Sequence, residues 1–209
     1  MTKRDPSDDR ILRAAGRLFR DKGFEATTVR EIAAAAELLP GSLHYRYPSK
    51  DEILVALMER GVEEAIDTVT RAIHPLTDPL ERIHAGLRAH VELLCSGEDS
   101  LHALLFDWRS LTPAAHQGVE RERRRYEYFW DGLLLAAYAT GRGRKLDLEL
   151  VRQLGFGAVN WVATWYTRDG RRTPAQIADA FFNYLSYGLV NDSSRPADLD
   201  ARFDALRKD

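Results

Sequence analysis

An all-α fold of about nine helices is what this 209-residue sequence predicts, and three observations carry the prediction. Apolar residues recur at helical spacing in almost every segment, while period-two alternation is nearly absent. Helix starts are written out as capping boxes, Thr28-Val29-Arg30-Glu31 and Ser49-Lys50-Asp51-Glu52, in which a hydroxyl accepts the N3 amide and the Glu carboxylate reaches back. The 23 residues from Thr28 to Lys50, TVREIAAAAELLPGSLHYRYPSK, hold two short helices and the start of a third. Two helices joined so tightly, the second too short and polar for a core helix, predict a helix-turn-helix of the kind that reads DNA.

Each element follows in order. Ile11, Leu12, Ala15, Leu18 and Phe19 trace an amphipathic first helix, ended by Gly23. Val29, Ile32, Ala33 and Ala36 form the apolar side of the second, and Leu43 and Tyr47 anchor the third. Ile53, Leu54, Leu57, Met58, Ala65, Ile66, Val69 and Ile73 trace a long fourth helix, which Pro75 stops. Asp78-Pro79, Thr112-Pro113 and Thr173-Pro174 each place a capping side chain before a proline at the first helical position. Further helices are therefore expected near 79–96, 99–110, 113–140, 147–168 and 174–189. A polar tail over 191–209 holds Leu199, Phe203 and Leu206 at the spacing of one short helix.

The run ILRAAGRLFRDKGFEATTVREIAAAAELLPGSLHYRYPSKDEIL resembles the N-terminal domain of TetR-type transcriptional regulators. The features are shared in order: AA..LF, G-F before TTV, REIA, G-S-L, an aromatic-rich end and S-K-D-E. The resemblance implies an N-terminal helix-turn-helix DNA-binding domain and a C-terminal helical domain that binds a small effector and forms the dimer. It sets the expected domains at 1–50 (DNA-binding), 51–75 (connecting helix), 76–190 (effector-binding and dimerisation) and 191–209 (tail). DPLERI (78–83), NWVATWY (160–166) and TPAQIADAFFNYLSYGL (173–189) are also similar to one branch, the acyl-CoA-responsive regulators of fatty-acid and steroid-side-chain catabolism. Two departures stand out. Glu37 and Leu39 occupy the turn where the family carries Gly and a Ser cap, so Glu37 is strained if its φ is positive. His44 stands in place of the usual Tyr, and Arg46 where His is common.

On this reading Pro40, Gly41 and Ser42 lie nearest the base edges. Ser42 can hydrogen-bond a base, Gly41 permits close backbone approach, and Pro40 offers apolar contact. Thr28, His44, Tyr45, Arg46 and Lys50 are expected on phosphates, which positions the domain without specifying sequence. The plainer alternatives are that Thr28 only caps its helix, Tyr45 is a surface aromatic and Lys50 a solvated charge. Their common placement on one small module favours DNA.

The helix near 147–168 is apolar nearly all round, with Val151, Leu154, Ala158, Trp161 and Trp165 on one side and Val159, Val162 and Tyr166 on another. A helix apolar on every face must be buried on every face. Together with the last helix (Ile177, Phe181, Phe182, Tyr184, Leu185, Leu189) it is expected to form a four-helix homodimer interface. Candidate ligand-binding residues are Phe106, Trp108, Phe129, Trp130, Asn160, Trp161 and Trp165. Asn160 is the sharpest, because an amide inside an apolar helix needs a partner, either a ligand carbonyl or a neighbouring backbone group. The arginines of Glu120-Arg121-Glu122-Arg123-Arg124-Arg125 are candidates for the phosphates of an acyl-CoA.

Net charge is −2, but residues 1–50 hold ten Lys/Arg against seven Asp/Glu, and the remainder twenty against twenty-five. Screening makes phosphate attraction local, so a basic head on an acidic body suits DNA. One cysteine, no apolar N-terminal stretch and no long apolar run predict a cytoplasmic protein without membrane contact. Histidines 44, 74, 84, 90, 102 and 116 show no HExxH spacing, and Gly141 to Lys145 lacks a P-loop pattern. No enzyme, metal or cofactor is therefore expected. Three readings stay open: a repressor released by a small hydrophobic effector such as an acyl-CoA, a regulator of an efflux gene sensing aromatic or cationic drugs, and an all-helical enzyme or scaffold.

Overall fold

A computed structural model of the chain describes residues 5–142 and 146–189, leaving aside the side chains of 142 and 187–189. The expected tail, with Leu199, Phe203 and Leu206, lies outside the described residues, as do part of the Gly141–Lys145 connection and the Leu189 side chain. Every regular element among the described residues is helical: α1 (Pro6–Lys22), α2 (Val29–Ala35), α3 (Pro40–Arg46), α4 (Lys50–Ile73), α5 (Pro79–Ser96), α6 (Asp99–His102), α7 (Pro113–Ala137), α8 (Leu148–Asn160), α9 (Val162–Trp165) and α10 (Pro174–Leu189). Two predicted helices are broken. The 99–110 segment passes from α6 into a π-helical turn at Ala103–Asp107 and a 3-10 turn at Trp108–Ser110. The 147–168 helix divides at Trp161, where the Thr164 N–H bonds the Trp161 carbonyl, an i→i+3 bond tighter than an α-helical one. With these breaks counted as kinks, the nine predicted helices are all present among the described residues.

The starts form as their residues dictate. The Thr28 hydroxyl accepts the Glu31 N–H while Glu31 accepts the Thr28 N–H, the full capping box. Ser49 accepts the Glu52 N–H, and Asp78 accepts from Leu80 and Glu81. A cap of this kind contributes about 1 kcal/mol. Thr112 departs from the pattern: it makes no cap, and its hydroxyl donates to Asp51 at 2.6 Å, tying the start of α7 to the start of α4. Gly23 ends α1 at φ 84°.

Two hydrophobic cores share α4. Ile53, Leu54, Leu57 and Met58 from its first half pack with Ile11, Phe19, Ile32 and Leu43 of the three-helix head. Val62, Ala65, Val69 and Ile73 from its second half pack with α5, α7, α8 and α10. The head core also takes Ala103, Leu111 and Val119, so it extends well beyond residue 50. Head and body are tied by Arg20, which pairs with Asp99, and by Arg60 on Asp9 at 2.9 Å. Gly61 lets α6 come close: a Cβ there would lie 2.9 Å from the Ser100 carbonyl oxygen. On the far side, Asp179 of α10 accepts from His84 and Arg88 of α5, which holds its carboxyl below the usual range, chiefly through the His84 hydrogen bond.

Candidate nucleic-acid interface and ligand cavity

α3 has one buried residue, Leu43, and rests on the head through it. Pro40, Gly41, Ser42, His44 and Tyr45 are all exposed, Tyr45 at 91%. The turn before α3 reaches its geometry with Glu37 at φ 57°, in the left-handed region that the missing glycine would have filled. Leu39 is the N-cap of α3 without a side-chain cap bond, and it is 76% exposed. Nothing in its type pointed to the interface, yet an exposed leucine at the tip of α3 stands beside Pro40 as an apolar contact.

Three of the expected phosphate donors already have partners within the head. The Thr28 hydroxyl donates to Glu31 at 2.8 Å. Lys22, the Thr28 N–H and that hydroxyl together hold the Glu31 carboxyl down to about 2. Lys50 donates to the carbonyls of Phe24 (2.6 Å), Thr27 (3.1 Å) and Glu25 (3.2 Å), and its ammonium lies 4.2 Å from the Phe24 ring centroid. It has three N–H donors and three acceptors, so it clamps the α1–α2 loop. Arg46 donates to Asp5 (2.6 Å) and Asp8 (3.0 Å) at the start of α1. The Glu31 acceptor is the capping-box partner that the spacing gave; the acceptors of Lys50 and Arg46 are brought in by the fold.

A cleft of about 490 Å³ lies between α5, α7, α8 and α10, although a water centre can occupy only about 50 Å³ of it. Leu87, His90, Trp130, Arg152, Phe156 and Phe181 are among its walls, and among the described residues no acidic one lines it. His90, buried, is held from both sides: the Tyr126 hydroxyl donates to Nδ1 at 2.8 Å, and Nε2 donates to Asn160 Oδ1 at 3.0 Å. Burial lowers the His90 value to about 4, so the ring is neutral at pH 7. Burial raises that of the Tyr126 hydroxyl. Arg152, 9% exposed, is neutralised by Asp131 (2.7 Å) and Glu127 (3.2 Å).

Of the seven aromatic and amide candidates, Trp130 alone lines this cleft directly. Asn160 joins it through His90, a side-chain partner rather than the backbone or ligand group expected. Phe129 packs partly buried against the body core and stacks on Tyr126, ring centroids 6.3 Å apart. The other four are placed elsewhere. Phe106 is exposed, Trp108 packs against the head core, and Trp161 and Trp165 face outward from the break in the α8–α9 segment. Helical spacing gave their faces but not what each face meets. His90, Arg152 and Phe156 escaped sequence reasoning. A lone polar side chain among Leu87, Val91 and Leu94, or beside Val151, is the same signal that singled out Asn160.

Residues 11–57 match the family of bacterial regulatory proteins described as tetR, and residues 76–189 match the tetracyclin repressor-like C-terminal domain. The HTH-type transcriptional repressor KstR2 of Mycolicibacterium smegmatis is 24% identical over 185 residues, covering 87% of this chain and 90% of that protein. AibR, in a crystal structure with isovaleryl coenzyme A and operator DNA, is 27% identical with a TM-score of 0.76, over 85% of this chain and 97% of that one. The superantigen PfiT is 31% identical with a TM-score of 0.78, over 91% and 100% of the two chains. Among the described residues no helix is long and apolar enough to cross a membrane.

Proposed function

The chain belongs to the tetR family of bacterial regulatory proteins, and we propose that it is a repressor that binds a palindromic operator as a homodimer and leaves it when an acyl-CoA enters the body. The observation that carries this reading is α3, a seven-residue helix with one buried residue and an otherwise open surface. Such a helix adds little to the core, and its exposed face suits a major groove. Pro40, Gly41 and Ser42, with Leu39, are the base-reading tip; His44 and Tyr45 face the backbone phosphates. Thr28, Arg46 and Lys50 shape the head, and Arg46 reaches phosphate only by leaving Asp5 and Asp8.

The second copy is supported by α8 and α10. Leu154 is 67% exposed and Trp161 64%, with Leu150, Trp165 and Tyr184 also outward. Two such helices from each chain bury one another's apolar faces. This pairing sets the two α3 helices at half-sites roughly 34 Å apart, one turn of duplex.

An apolar cleft with a neutral histidine chain, an arginine in its wall and no free carboxylate among its described lining residues suits an acyl group better than a cationic drug. A path to the head starts at Trp130. Its rim would lie 3.3 Å from a Cβ on Gly86 of α5, and Val69 of α4 would lie 3.1 Å from the same atom. An acyl chain widening the cleft moves Trp130 against α5 and the second half of α4, and α4 carries the head. A hundredfold preference for the released state corresponds to about 2.7 kcal/mol of coupling.

The test is gel retardation on duplexes selected from random sequence. A palindrome should emerge, its binding should weaken steeply with salt, and isovaleryl-CoA or octanoyl-CoA should release it. No selected sequence at low salt would retire the DNA reading; selection without release by any thioester would retire the effector class alone.

A further inference from the structure

On the N-terminal half of α7 a second depression has a chemistry that neither the head nor the cleft accounts for. A water centre can reach about 260 Å³ of it, and Trp108, His116, Glu120, Arg123, Arg124 and Glu127 are among its walls. Both of its acids already have a cation: Arg124 takes Glu120 at 3.4 Å, and Arg152 takes Glu127 at 3.2 Å. Arg123, and Arg109 beside it, each place a guanidinium carbon 4.9 Å from the Trp108 ring, so the two are at most about 10 Å apart, twice that distance. Among the described residues neither is paired with a carboxylate. The indole holds both charges in place, and His116 meets it edge-on with ring centroids 5.5 Å apart. Two unneutralised guanidiniums held on one ring attract a multiply charged oxyanion, because their mutual repulsion falls when it binds.

The groove and the cleft lie along the same face of α7. Arg123, Glu127, Trp130 and Leu134 are spaced i, i+4, i+7 and i+11, and Glu127 in the groove pairs with Arg152 in the cleft wall. At a rise of about 1.5 Å per residue, Arg123 lies roughly 10 Å along the helix from Trp130.

We propose that this groove binds the phosphorylated nucleotide end of a coenzyme A thioester whose acyl end fills the cleft, with Arg123 and Arg109 as phosphate ligands. The inference rests on the effector class proposed above and adds where its charged end is read. It also gives the nucleotide a role in release. Trp108 packs against the head core and Trp130 belongs to the body core, so a ligand filling both sites bridges the two, whereas a free fatty acid touches only the body.

The test is calorimetric titration of the full-length protein with octanoyl-CoA, octanoyl-pantetheine and adenosine 3′,5′-bisphosphate. The wild type should prefer the CoA ester to the pantetheine ester by about tenfold or more. Arg109→Gln with Arg123→Gln should erase that preference and bisphosphate binding, while keeping the octanoyl-pantetheine affinity, the melting temperature and the affinity for duplex DNA. A double variant that still prefers the CoA ester overturns the proposal, as does one that loses DNA affinity in step, since the arginines would then serve DNA phosphate. Equal wild-type affinity for the two thioesters overturns the groove and leaves the effector class standing. Arginine-dependent bisphosphate binding without thioester binding retires the effector class and supports a nucleotide groove.

Discussion

The head and the body of this chain differ in how far each closes its own core. In the head, Ile11, Phe19, Ile32, Leu43, Ile53 and Leu54 are all within 1% of complete burial, and the exposed large apolar side chains are Leu39 and Tyr45. The body contains a cleft, a buried polar chain through His90, and an apolar face on α8 and α10 that nothing among the described residues covers. A closed core keeps its shape whatever is bound, which suits an element that must present one fixed surface to DNA. An open core has more than one way to pack, and a ligand or a second copy can choose among them.

The largest expected effects test that contrast directly. Phe19→Ala should cost about 3–5 kcal/mol of stability, independent of protein concentration, in chemical denaturation. Leu154→Glu with Trp161→Glu should act through assembly instead. Sedimentation should show a monomer, and affinity for a palindrome should fall by about a hundredfold or more, because two half-sites are no longer held together. A dimer that survives both charges would move the interface away from α8.

A middle-sized effect probes the body's polar chain. The His90 ring is neutral in the fold down to about pH 4, but takes a proton near its ordinary 6.5 in the unfolded chain. The unfolded state therefore binds more protons between those values, so stability should fall as pH drops from about 6.5 to 4 and level below that. The full loss is about 3 kcal/mol. His90→Gln should flatten the curve of melting temperature against pH in this window; an unchanged curve would show that other groups carry it.

The smallest effect returns to the head. Glu37→Gly removes a side chain from φ 57° and should raise stability by about 1 kcal/mol, read in the same denaturation assay. A loss instead would mean that Glu37 makes a compensating contact in solution.

Much of the head was legible because its information is local. Capping boxes, Gly23, Pro40 and the Leu43 anchor act within a few residues of themselves, so their spacing alone decides the element they make. The strained turn at Glu37 was legible for the same reason. Lys50 and Arg46 were not, since each is a donor whose partner is set by the chain's path: carbonyls 23 to 26 residues away for Lys50, and acids 38 and 41 away for Arg46. In the body, periodicity identified α8 as apolar all round but could not say which face meets α7 and which is left open. That choice put Phe156 in the cleft and Trp161 outside.

The sequence by itself determined where the helices lie, the caps at Thr28, Ser49 and Asp78, and the short exposed helix α3, because hydrogen bonding and side-chain period within one turn are enough to specify them. Only the tertiary structure decided where the cleft lies, that His90 and Arg152 enter its wall, and that Trp108 joins a groove with two arginines. Those features depend on the packing of helices far apart in the chain, and no local rule encodes that geometry.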